Sequence, residues 1–308
     1  MAKKKKVDVF PYLLLIPSML FLVGITLYPF LSSVYNSFFD YSFTKADVKF
    51  IGFENYADII QEGKFFSSLS FTLLYTVLDL AVVLLLGFIT SILMKQKFAG
   101  KQILKATMLI PWILPQVVTG YIFNLMIAQN MGILNRIMGL MGLVPMDFSW
   151  FNSPKTAAIA IIMATSWRGF PFVALMVYSK MQSVPAELLE AASLDGANSI
   201  QRFYYIVVPH IKSIFLTCAF LTFLWTFNAF DIIKVMTNGG PLEKTVTLSF
   251  LLQREAFKYM KIGRACAMAV LMFLSLISII LLVLGVRWLI GKGVNMYGKQ
   301  REIRKAVD

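Results

Sequence analysis

The sequence predicts an all-α integral membrane protein with six transmembrane helices. Three observations carry that prediction. The chain is 58% hydrophobic and only 15% charged over 308 residues, against roughly 45–50% and about 25% in soluble domains. Its apolar residues are gathered into six stretches near the length of about 20 residues that a helix needs to cross a bilayer. Lys and Arg stand mainly at the ends of those stretches, where they set topology.

The elements follow in order. Residues 1–10 are a basic tail holding Lys3, Lys4, Lys5 and Lys6. The first span is expected at 11–34. It resembles a signal peptide in its positive start, but its apolar run is too long. No alanine between Lys3 and Lys45 offers a small-residue cleavage site, so a retained span is expected. A loop at 35–68 follows. A core at 69–290 then holds the other spans, at 69–94, 106–128, 157–179, 213–233 and 265–288, and a basic tail ends the chain at 291–308. Lipid offers no hydrogen bonds, so the spans must be helices. Pro17, Pro29, Pro111, Pro115 and Pro171 are expected to kink or bound them. The side that includes both ends carries the larger share of Lys and Arg, which puts both termini in the cytoplasm.

The net charge of +13 raises nucleic acid as a partner. No soluble basic face remains to bind it, so that function is excluded. Cys218 and Cys266 fall in apolar runs and read as buried small hydrophobes. Every Gly-Lys pair, at Gly63, Gly100, Gly291 and Gly298, is followed by a residue other than Ser or Thr, so no phosphate-binding loop is present and ATP would be hydrolysed by another chain. No metal-ligand cluster or nucleophile constellation appears, and the chain is not expected to be an enzyme. His210, the lone histidine, is expected to touch lipid headgroups.

The longest cytoplasmic connection, 183–210, reads as helix, glycine turn, helix. Pro185 suits a first helical turn, residues 186–194 are helix formers, and Gly196 can take the left-handed backbone that ends a helix. A second helix at 199–207 is expected to stop before Pro209. Glu190 beside Ala191 and Ala192 offers a carboxylate on a closely approachable face. Physics alone leaves two readings open: a docking helix for a partner, or a helical hairpin resting on headgroups.

These residues resemble a known family. Glu190-Ala191-Ala192, Asp195-Gly196-Ala197 and Ile206–Pro209 resemble the EAA loop of the membrane subunits of bacterial ATP-binding-cassette importers. Phe53–Tyr56, Trp167–Phe172 and Thr237–Pro241 look like its sugar branch, the permeases for maltose, multiple sugars and glycerol phosphate. The last motif is similar to the first-subunit type. The resemblance implies the type I importer fold. Its coupling helix would dock in a cleft of an ATPase subunit, using Glu190, Ala191, Ala192, Leu194, Asp195, Gly196 and Pro209. It also implies a second permease subunit, an ATPase dimer that holds ATP and magnesium, an extracytoplasmic sugar-binding protein and a bacterial inner-membrane location. This chain itself would carry no cofactor.

Charged residues inside spans are functional candidates, and here they are Asp79, Arg168 and Asp231. Arg168 is expected to pair with Asp79 or Asp231; the sharper alternative is that it meets an anionic sugar. Thr222, Trp225, Thr226 and Ala229 recur at helical spacing. Such a stripe alone reads as helix packing. With the resemblance it reads as the sugar-contacting face, joined by Gly169 and Phe172. Trp225 and Phe172 would wall the sugar, Thr222 and Thr226 would bond its hydroxyls, and Gly169 would leave room. An ion-coupled secondary transporter is the alternative, with a membrane enzyme behind it. Three in-span charges are few for an ion path.

Overall fold

The computed structural model describes residues 10–44, 47–96 and 98–307, with side chains described as far as Leu289 apart from Pro11. The run Lys3–Lys6 lies outside the described residues. The described residues up to Glu62 and from Leu252 onward form one compact unit, and Gly63–Leu251 form another. The last long helix therefore groups with the first.

The chain enters through α1 (Phe10–Phe21), a π-helical turn at Leu22–Leu27 and α2 (Tyr28–Asn36). Pro17 sits inside α1 and Pro29 in the first turn of α2. A short antiparallel pair follows, β1 (Phe39–Asp40) with β2 (Lys49–Phe50), and then α3 (Glu54–Gln61).

The second unit is built on α4 (Lys64–Lys95), which starts ahead of the expected position 69 because residues 64–68 extend the helix beyond its apolar run. The third span is not one rod. α5 (Lys101–Ile113) and α6 (Gln116–Met126) are bent by 103° at Leu114–Pro115. Pro115 has no N–H to continue the ladder, and the residue before a proline is pushed to extended backbone; Leu114 has ψ 136°. After α7 (Ile133–Leu140) comes α8 (Pro154–Gln182), which passes through Pro171 unbroken. α9 (Ala186–Leu194) and α10 (Ser199–Arg202) lead through a π-helical turn at Phe203–Val207 into α11 (Val208–Phe227).

The expected stop before Pro209 does not occur: Ser199–Phe227 is one continuous helix. Proline removes a donor, and the wider turn absorbs that loss by reaching back five residues, from the Val208 N–H to the Phe203 carbonyl. The far end also differs from the expected 213–233. α11 ends at Phe227, where Asn228 caps it by donating to the Leu224 carbonyl at 2.8 Å. Asp231 then opens a separate helix, α12 (Asp231–Met236), so it stands outside the fifth span.

α4 and α8 form the seam of this unit. A Cβ on Gly87 would lie 2.6 Å from the Val173 Cβ, so only glycine permits that approach. Around it Val83, Val173, Val177, Met181, Val207, Ile211 and Cys218 form a buried apolar cluster.

α13 (Leu248–Gln253) and a π-helical turn at Arg254–Lys258 lead to α14 (Ile262–Val307), whose backbone stays helical over the described part of the expected tail, residues 291–307. In this unit α14 meets α2 through Phe30 and Phe273, edge to face at 5.1 Å. The Phe53–Tyr56 motif serves the same unit. Asn55 is buried and donates to the Ser37 and Phe39 carbonyls at 2.9 and 3.0 Å, while Tyr56 Oη bonds Ser37 Oγ at 2.6 Å. Arg264 pairs with Glu62 at 2.5 Å and Glu255 at 3.4 Å.

Candidate functional site: an aromatic cavity and an exposed helix

Two places in the Gly63–Leu251 unit concentrate the residues singled out from sequence. The first is a narrow cavity lined by Asp79, Trp112, Gln116, Arg168, Gly169, Thr222, Trp225, Thr226 and Ala229, among others. The stripe Thr222, Trp225, Thr226 and Ala229 does face one space. Phe172 is not on its wall but braces it, stacking on Trp112 at 5.8 Å and meeting Trp225 edge to face at 5.0 Å. Gly169 lies on the wall, where a Cβ would approach Val83 at 3.2 Å; it spares the helix seam as well as the cavity.

The expected ion pair is not made. Among the described residues neither Asp79 nor Asp231 pairs with Arg168. Asp79 is 2% exposed, and three hydroxyls satisfy its carboxylate. Thr165 and Ser166 donate to one oxygen at 2.8 and 2.7 Å, and Thr226 donates to the other at 2.8 Å. This matches the rule that a buried charge must be hydrogen-bonded. It also redefines Thr226: a hydroxyl has one proton, this one is committed to Asp79, and Thr226 is left to accept. Thr222 keeps its proton. Arg168 donates from Nε to the Leu114 carbonyl at 2.9 Å, a helix-end carbonyl left open by the break at Pro115.

Tyr75, Trp112, Gln116 and Thr165 escaped the sequence reading. Tyr75 was findable, since it stands one turn before Asp79 on α4. Its hydroxyl is buried, and among the described residues no partner meets it with hydrogen-bond geometry. Only about 40 Å³ of the cavity is open. That is room for water and far below the roughly 300–1,000 Å³ of a small-molecule pocket.

The second place is α9. None of its nine residues is buried, and Leu194 is 90% exposed. Glu190, Ala191, Asp195 and Gly196 are exposed too, with Ala192 half-buried. Its end is a complete left-handed cap. The Ala197 N–H reaches the Ala192 carbonyl at 2.9 Å and the Gly196 N–H reaches the Ser193 carbonyl at 3.1 Å, with Gly196 at φ +83°. Asn198 and Gln201 then form a reciprocal capping box for α10.

The turn is tied down. Arg202 donates to Ser193 Oγ and, at 3.2 Å, to Ser199 Oγ. Leu189 and Phe203 pack on the buried cluster of α4, α8 and α11. His210 bonds the Ser183 hydroxyl at 3.1 Å across the base of the loop. Pro209 lies inside the helix after the π turn, away from the turn at Gly196.

The pattern of the family described as "Binding-protein-dependent transport system inner membrane component" matches residues 83–294, from α4 into α14. The chain belongs to that family. Members are permease subunits, and this one is a multi-pass membrane protein, with five membrane-length helices plus the bent pair among the described residues. It is 33% identical over 262 residues to the sulfoquinovosyl glycerol transport system permease protein SmoG of Agrobacterium fabrum, covering 85% of this chain and 84% of that one. It is 30% identical over 232 residues to the trehalose/maltose transport system permease protein MalF of Thermococcus litoralis, covering 74% and 77%. A chain of a bacterial alginate ABC transporter, crystallised with an alginate pentasaccharide-bound periplasmic protein, superposes with a TM-score of 0.75 at 16% identity, covering 89% of this chain and 92% of that one. That match shows a shared permease fold.

Proposed function

We propose that this chain forms half of the translocation path of an ATP-driven carbohydrate importer, with α9 as the helix gripped by the ATPase. The observation that carries the reading is α9 itself: a helix with no buried residue, fixed through Leu189, Arg202 and Phe203 to the bundle that holds the cavity. A docked helix so fixed transmits force instead of folding away. Movement of the ATPase dimer would then shift α4, α8 and α11 together, which is alternating access by rigid bodies.

The partners are an ATPase dimer that binds ATP and magnesium, a sister permease and an extracytoplasmic sugar-binding protein. Both termini and α9 face the cytoplasm. The relatives named for transport of sulfoquinovosyl glycerol and of trehalose or maltose support carbohydrate as the cargo. So does the cavity, where indole rings stand beside hydroxyl and amide groups, the combination that binds sugars. Its small open volume fits a path completed by the sister subunit. An ion-coupled transporter is not favoured by this family membership.

The test is Trp225→Ala in the reconstituted importer. Uptake should fall while subunit assembly stays intact. Unchanged uptake would remove the cavity from the path.

A further inference from the structure

The carbohydrate reading leaves Arg168 without a task, and its surroundings supply one. Its Nε is spent on the Leu114 carbonyl. Among the described residues its two Nη atoms have no hydrogen-bond or ion-pair partner, although the side chain lines the cavity and is half-buried. Asp79 lines the same cavity, but both its oxygens are held by Thr165, Ser166 and Thr226. Asp231 is exposed and is not part of the wall. Asp231 still attracts the guanidinium from outside the wall, but the cavity presents a cation whose Nη atoms touch no carboxylate among the described residues.

The groups around it are suited to a sugar ring. Trp112 and Trp225 stand on the wall, braced by Phe172 behind it, and Gln116 and Thr222 hold amide and hydroxyl groups with no side-chain hydrogen bond to another described residue. A half-buried charge without a partner is costly. A planar guanidinium fixed at Nε offers its Nη pair as a fork, the geometry that fits carboxylate, sulfonate or phosphate oxygens.

We infer that the cargo is an acidic carbohydrate, its anionic group held by Arg168 Nη and its ring set against Trp225. This deepens the proposed function and rests on it. Neutral sugars are bound by the same wall without the charged contact. Specificity then arises in the membrane subunit as well as in the binding protein.

The test is isothermal titration of the assembled complex, purified with its ATPase and sister subunit in lipid discs. Glucuronate, glucose 6-phosphate and glucose are each titrated into parent, Arg168→Gln and Arg168→Lys. A charge-assisted hydrogen bond adds about 1.5–3 kcal/mol, roughly tenfold or more in affinity. The parent should prefer at least one acidic sugar to glucose by that factor. Arg168→Gln should abolish the preference, and Arg168→Lys should restore part of it. Equal preference in parent and Arg168→Gln overturns the assignment and leaves the carbohydrate reading standing. A complex that Arg168→Gln prevents from assembling places the guanidinium at a subunit interface and also overturns it. A parent that binds none of the three, with Trp225→Ala also transporting normally, overturns both readings.

Discussion

Gly196 offers a graded test of how the α9 turn works. Its φ is +83°, and a Cβ there would meet nothing within 4 Å. The demand is therefore purely conformational. An L-residue in the left-handed region costs roughly 1–2 kcal/mol, with asparagine the mildest exception. One or two kcal/mol is a factor of about 5–30 in a local population. Gly196→Ala should thus lower the ratio of capped to uncapped loop by about that factor, and Gly196→Asn should stay near the parent. Gly196→Pro is a different case. Its φ is locked near −65°, so the paired bonds to the Ala192 and Ser193 carbonyls are both lost.

The assay is ATP-driven uptake in proteoliposomes, normalised to inserted protein. The turn is exposed, so none of the variants should reduce insertion. Uptake should rank glycine, then asparagine, then alanine, with proline inactive. Equal uptake by alanine and asparagine would refute the conformational argument. Full uptake by the proline variant would refute the coupling role itself.

Three further outcomes follow from the structure. Asp79→Ala removes the only acceptor that Ser166 and Thr226 have among the described residues, at about 1–3 kcal/mol for each orphaned hydroxyl; Asp79→Asn keeps one acceptor oxygen and should cost less. Unfolding followed by thiol labelling of the buried Cys218 reads the difference, and equal midpoints would refute the network. Gly87→Ala forces α4 and α8 apart at Val173 and should cost about 1–3 kcal/mol as overpacking, seen in the same assay; no loss would show that the seam yields. Burial raises the Glu255 carboxyl above its ordinary 4.5, against the pull of Arg264 and Lys261. A raised carboxyl favours the protonated folded state, so its contribution is fully present below 4.5 and lost as pH rises through the folded value. Glu255→Gln should flatten that decline in a pH series of unfolding midpoints, and an unchanged slope would count against it.

Much of this was legible in the sequence because single residues carried local physics. Gly196, Pro185 and the alanines of α9 announce a capped helix on their own. The stripe from Thr222 to Ala229 shares a face by spacing alone. What escaped depends on tertiary pairing. Thr165 and Thr226 stand 86 and 147 residues from Asp79 in the chain, so no periodicity links them, and Arg168 took on an ion pair that hydroxyls had already displaced. Trp112 and Gln116 flank a proline break whose 103° bend aims both at one cavity. The π turn before Pro209 is invisible to a pattern of 3.6 residues, and it let a helix continue where proline chemistry argued for a stop. The Asn228 cap has the opposite effect, cutting the fifth helix inside an apolar run.

The most direct measurement is cross-linking combined with transport. A cysteine placed at Glu190 should cross-link to the ATPase subunit from the cytoplasmic side, and vesicles holding the full complex and its binding protein should take up sugar with ATP and magnesium alone. Uptake driven by a proton or sodium gradient without ATP, with no cross-link from position 190, would contradict the account.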